Sequence, residues 1–143
     1  MKKLFLLLLG ICALYAKDYE IQMLDLDREG NTMVFSPSFI RIQPGDTVTF
    51  IPTHKTHYVQ SKLIPDGAEH FLSELDEKTA FKFDKEGIYI YVCPPHQMMN
   101  MIGIIQVGNA TNIQKVRDSV PKLDRRALVN KGRLIEYAKA IQE

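Results

Sequence analysis

Apolar and polar positions alternate with a period of two along much of the chain, most cleanly in Phe39 to Gln43 and in Thr79 to Asp84. That period belongs to a strand with one buried face. Runs of similar character occur in "YEIQML" (19–24), "TMVFS" (32–36), "TVTFIP" (47–52), "HYVQS" (57–61), "GIYIYVC" (87–93) and "MIGIIQV" (101–107), separated by turn residues such as Pro44-Gly45-Asp46. Short strands at this spacing predict an antiparallel Greek-key β-sandwich. The stretch "AEHFLSEL" (68–75) breaks the rhythm and predicts a short helix across one end. After Gly108 the period becomes helical. Thr111 or Asn112 offers an N-cap, and Pro121 opens a second helix carrying Leu123, Ala127, Leu134, Ala138 and Ile141 on one stripe, with Gly132 as a mid-helix kink. The expected architecture is a mainly β sandwich over residues 17–110, with a two-helix extension over 111–143 packed on the same domain.

The first sixteen residues, "MKKLFLLLLGICALYA", have two lysines, an apolar run and a small residue before the polar "KDYE". This is the layout of an export signal cleaved after Ala16. The run falls short of the roughly 20 apolar residues of a membrane span, so no stable membrane insertion is expected. Removal leaves 127 residues, enough for one domain, with Cys93 as the single cysteine. An unpaired cysteine in an oxidising compartment is buried, bridged to another chain, or used. The remaining chain carries 16 Lys+Arg against 17 Asp+Glu, which gives no basis for nucleic-acid binding. Its charge is uneven, with net −5 over 17–110 and net +4 over 111–143. The basic end is either a docking surface or a solvated helical face.

The segment "YVCPPHQMMNM" (91–101) concentrates one cysteine, one histidine and three methionines. Cys93 ends one β run, His96 follows, and the chain re-enters a β run near Met101, so this loop joins neighbouring strands. His57 can reach the same end of a sandwich from another strand. Two imidazoles, a thiolate and a thioether are the donor set of a blue-copper site. Cu(I) prefers soft sulfur and Cu(II) prefers nitrogen; a rigid site between these preferences passes an electron with little rearrangement. His54 and His70 read as surface residues.

Three segments carry a resemblance: 31–60, which includes "PGDTVTFIPT"; 64–71, "IPDGAEHF"; and 87–108, with its Cys-x2-His-x4-Met-x-Gly motif. Together with two C-terminal helices they resemble the pseudoazurins of the cupredoxin family. The resemblance implies copper ligation by His57, Cys93, His96 and Met101. Met99 would suit the Cys-x2-His-x2-Met spacing of amicyanins, but Ile102-Gly103 and the following β run favour Met101. Two departures stand out. Tyr58 and Pro94 replace residues that, in the family, tie the first histidine's strand to the cysteine loop, leaving the Tyr58 amide as the main donor to the Cys93 sulfur.

The function implied is a periplasmic electron shuttle with one mononuclear type 1 copper. Its expected partners are periplasmic redox proteins: a c-type cytochrome, a nitrite or nitrous oxide reductase, or a peroxidase, met as a monomer. A copper carrier binding Cu(I) through the Cys/His/Met loop is the alternative. An enzyme is not expected, because copper enzymes of this architecture need a second domain and a second copper centre.

Overall fold

The computed structural model describes residues 15–143; residues 1–14, which hold most of the expected export signal, lie outside them. Eight strands form two sheets. The first has the order β2-β1-β4-β6, with β1 Asp18–Leu26, β2 Thr32–Ser36, β4 Asp46–Pro52 and β6 Thr79–Phe83. The second has the order β3-β8-β7-β5, with β3 Phe39–Ile42, β5 Gln60–Leu63, β7 Gly87–Val92 and β8 Ile102–Val107. Most pairings are antiparallel, but β1 with β4 and β3 with β8 run parallel. Both arise where a connection crosses from one sheet to the other, which strand periodicity alone does not encode.

The two sheets face each other across an aromatic core. Tyr91 lies at its centre, its ring 4.8 Å from Phe35 and 5.1 Å from Phe50, both edge-on. On β7 the period of two divides the strand. Tyr89 and Tyr91 enter this core, with Cys93 continuing their row, while Ile88, Ile90 and Val92 face a second apolar layer closed by Val116, Val120 and Leu134. On β8, Ile105 and Val107 face the sandwich and Ile102 and Ile104 face the helices. Met101, immediately before the strand, joins the sandwich row. Every residue of both strands is buried. Each fully buried isoleucine on the helix side contributes about 1.5–3 kcal/mol of transfer free energy. Gly103 is required where Tyr91 crosses β8, since a Cβ there would stand 2.3 Å from the phenolic oxygen.

The helices divide differently from the sequence expectation. α1, Ile113–Asp124, runs through Pro121, and α2, Arg133–Ala138, starts after Gly132, which sits at φ +87°. Pro121 therefore ends a helix rather than beginning one. It forfeits one bond to the carbonyl four residues back, but the helix runs only three residues further, and Val116 and Val120 already anchor its buried face. Asn112 does precede α1, yet its amide caps β7 instead: Oδ1 accepts the Ile88 N–H at 2.7 Å and Nδ2 donates to the Ile88 carbonyl. The helix expected over 68–75 does not form. The Ser61 hydroxyl accepts the Phe71 N–H, and the Ser73 hydroxyl accepts that of Val59, so the segment lies extended along β5 with Phe71 in the core. Backbone pairing there buries Phe71, where a helix would leave the edge of β5 uncovered.

Candidate metal centre

The putting together of this site begins with β7, whose inward row ends at Cys93 in an extended conformation. Pro94 and Pro95 then open a 3₁₀ turn over Pro94–Met99, at positions where a helix needs no N–H. The Cys93 carbonyl accepts the His96 N–H at 3.0 Å. Asn100, at φ +57°, reverses the chain in the left-handed region that Asn tolerates better than most residues. Met101 re-enters the sheet: its carbonyl accepts the Cys93 N–H at 3.0 Å and its own N–H donates to the His96 carbonyl at 3.2 Å. Cys93 and Met101 thus face each other across the base of a closed loop.

His57 arrives from the connection between β4 and β5. Asp76 holds its backbone at both ends, with Oδ1 accepting the His57 N–H at 3.1 Å and the Asp76 N–H donating to the His57 carbonyl at 2.9 Å. Its ring is fixed by Asp25, whose Oδ1 lies 2.8 Å from His57 Nε2. The proton on Nε2 directed to that carboxylate leaves the Nδ1 lone pair free. Nδ1 points at Cys93 Sγ, 3.6 Å away, and His96 Nδ1 lies 3.4 Å from the same sulfur. The three donor atoms fall within 4.8 Å of one another. Among the described residues this is the group of histidine, cysteine and carboxylate side chains that could hold a metal ion.

Burial acts on the protonation of Cys93 and His96. Desolvation pushes the Cys93 thiol above its ordinary range; the backbone N–H groups of Tyr58 and His96 oppose this, and the Asp76 charge adds to it. Burial, then the neighbouring His57 ring, lower the pKa of His96, with the Asp25 charge acting the other way. A metal ion held here would take the place of the Cys93 thiol proton. One thiolate and two imidazoles suit a borderline or soft transition metal and not calcium or magnesium.

The three methionines separate by environment. Met101 is fully buried in the same cluster as Cys93, Met99 is half-buried, and Met98 is 56% exposed. Sequence reasoning missed Asp25, which stands 32 positions before His57 and shares no motif with it. It also read His54 as a surface residue; His54 is half-buried and its Nδ1 accepts the Asp25 N–H at 2.8 Å. His70 is exposed, its Nδ1 2.9 Å from the Ser61 hydroxyl.

A two-sheet sandwich with a thiolate between two imidazole nitrogens at one end defines a small copper protein of the cupredoxin class. A family model for copper binding proteins of the plastocyanin/azurin family matches residues 22–108, and the chain belongs to that family. Its relatives there include pseudoazurins. A protein of Rhizobium leguminosarum bv. viciae, provisionally named a pseudoazurin, is 44% identical over 126 residues, 85% of this chain and 82% of its own length. The pseudoazurin of Paracoccus pantotrophus is 39% identical over 98 residues, 67% of each chain. The crystal structure of native pseudoazurin from Hyphomicrobium denitrificans superposes with a TM-score of 0.77 at 34% identity, covering 87% of this chain and 99% of its own. The protein is accordingly a copper electron-transfer protein of the cupredoxin type. No helix among the described residues is long and apolar enough to cross a membrane.

Proposed function

We propose that the protein is a periplasmic type 1 copper carrier that cycles between Cu(II) and Cu(I) while shuttling electrons between respiratory proteins. His57, Cys93 and His96 would hold the copper, and the Met101 thioether would serve as a fourth, weaker donor. The observation that carries this reading is the placement of Cys93 Sγ between two Nδ1 atoms, all within 4.8 Å. Copper supplies the one-electron couple. The chain supplies a site whose donors are already converged, so that little moves on electron transfer. His57 is fully buried, whereas His96 is only partly so, and electrons enter and leave by the His96 edge.

Around that edge the surface suits transient docking. Met98 is exposed, and the amides of Leu128 and Val129 both bond its carbonyl, which sets two further exposed apolar side chains beside it. Arg125, Arg126 and Lys131 are exposed on the same segment, and none has a carboxylate partner among the ion pairs of the described residues. This is a contact for a partner whose exposed redox centre is rimmed by acidic residues, such as a c-type cytochrome, a nitrite or nitrous oxide reductase, or a peroxidase. A copper-delivery role would favour loosely held, exposed donors; the burial of Cys93, His57 and Met101 opposes it.

The test is the visible spectrum of the Cu(II)-loaded protein beside that of Cys93→Ser. An intense thiolate-to-copper band, bleached by reductant, restored by oxidant and absent from the variant, is the expected result. A colourless protein that retains Cu(I) would overturn the shuttle.

A further inference from the structure

The carbonyls of Met98, Met99 and Asn100, on the outer side of the ligand loop, all accept hydrogen bonds. The donors come from the link between the two helices and from the first residue of α2. Leu128 N–H donates to the Met98 carbonyl at 2.8 Å, Asn130 Nδ2 to the Met99 carbonyl at 2.9 Å, and an Arg133 guanidinium nitrogen to the Asn100 carbonyl at 3.2 Å. The Asn100 side chain answers in the other direction, its Nδ2 donating to Asp124 Oδ1 at 2.9 Å and to the Asn130 carbonyl at 2.8 Å.

Asp124 is buried at the end of α1. Its carboxylate also accepts the N–H groups of Gly132 at 2.7 Å and Leu134 at 3.1 Å, which fixes the start of α2. The same guanidinium reaches the carbonyls of Met33 and Thr32, so Arg133 ties the loop to the first sheet as well. A buried carboxylate held by three N–H donors, with no cation paired to it among the described ion pairs, is a rigid anchor. Asn100, which it grips, is 2% exposed and directly precedes Met101.

We infer that the C-terminal segment Asp124 to Arg133 is a positioning element of the metal centre, acting through Asn100 to fix Met101 and His96 against Cys93. The inference rests on the ligand set proposed above. The helical extension then does more than cover the second sheet: it locks successive carbonyls of the ligand loop in place. Pro94 and Pro95 stiffen the entry to that loop, and the Asn100 clamp stiffens its exit. Outer-shell partners that orient ligands change metal affinity by about 10- to 100-fold when removed.

Asn100→Gly is the informative variant, because glycine keeps the φ +57° turn while deleting both side-chain bonds. Copper loss to a chelator should become about tenfold faster. The relative intensities of the thiolate-to-copper bands and the reduction potential should shift, and amide exchange at Asn100 and Met101 in the metal-free protein should accelerate. Asn130→Ala should move the same readouts in the same direction, less far. Val107→Ala, at the opposite end of β8, should lower stability and leave the copper spectrum and potential unchanged. Unaltered spectra, potential and copper loss in Asn100→Gly and Asn130→Ala, even with reduced stability, would overturn the inference. So would equal metal-site changes in Val107→Ala. An unsubstituted protein with no thiolate-to-copper band would instead remove the ligand set on which the clamp depends, a failure separable from either result.

Discussion

The two sheets of this sandwich are built to different standards. In the second sheet, β7 and β8 are buried along their whole length, one face against the aromatic core and the other against the helices. In the first, exposed or half-buried residues recur along β1, β4 and β6. The rows of β7 and β8 that face the core end at Cys93 and Met101, whereas His57 comes from a connection and relies on Asp25 and Asp76 to hold it. Strands packed on both faces need no extra hydrogen bonds to place a ligand; a loop does. The polar supports of the site accordingly gather where strand packing gives out, at His57 and at residues 98–100.

The largest effects should come from the strands covered on both faces. Ile104→Ala, between core and helices, is expected to cost about 2–5 kcal/mol in chemical denaturation. Lys82→Ala on the open face of β6 should stay within about 0.5 kcal/mol. Equal losses would erase the contrast between the sheets.

Asp25→Ala should act on the metal and only weakly on the fold. Losing the carboxylate that orients His57 should weaken copper binding about 10- to 100-fold. The reduction potential should rise, because a less electron-rich imidazole favours Cu(II) less; voltammetry and chelator competition check both. An unchanged affinity would mean that burial alone orients His57.

A smaller effect concerns Tyr91, whose buried hydroxyl has no hydrogen-bond partner. Tyr91→Phe removes that unmet group while keeping the ring among Phe35 and Phe50. It should leave stability unchanged or raise it by about 1 kcal/mol in denaturant titration. A loss would show that the hydroxyl has a partner in solution.

The smallest is a pH effect at the far end of the same row. Burial, followed by the Asp84 charge, raises the Tyr89 phenol from 10.0 to about 12. The folded state therefore holds its proton more tightly than the unfolded chain. The associated stability is complete below pH 10, falls as pH rises toward about 12, and is lost above it. Tyr89→Phe should flatten that alkaline decline in thermal unfolding, and an unaltered decline would assign it to other groups.

The sequence by itself determined what local periodicity and chemistry encode. Alternation marked the strands of both sheets and put Tyr89, Tyr91 and Cys93 on one face, because side-chain direction in a strand depends only on parity. The spacing of Cys93, His96 and Met101 announced a metal loop, since all three lie within nine residues and the intervening prolines limit its shape. Local signals misled where a tertiary alternative was stronger. Residues 68–75 carry a helical composition, but pairing with β5 buries Phe71. Pro121 reads as a helix start, yet Val116 and Val120 extend α1 through it. Only the tertiary structure decided which side chains support the ligands. Asp25 meets His57 across 32 residues and Asp124 meets Asn100 across 24. Such pairs follow from how crossovers and helices pack, and neither residue type nor spacing in one chain records that packing.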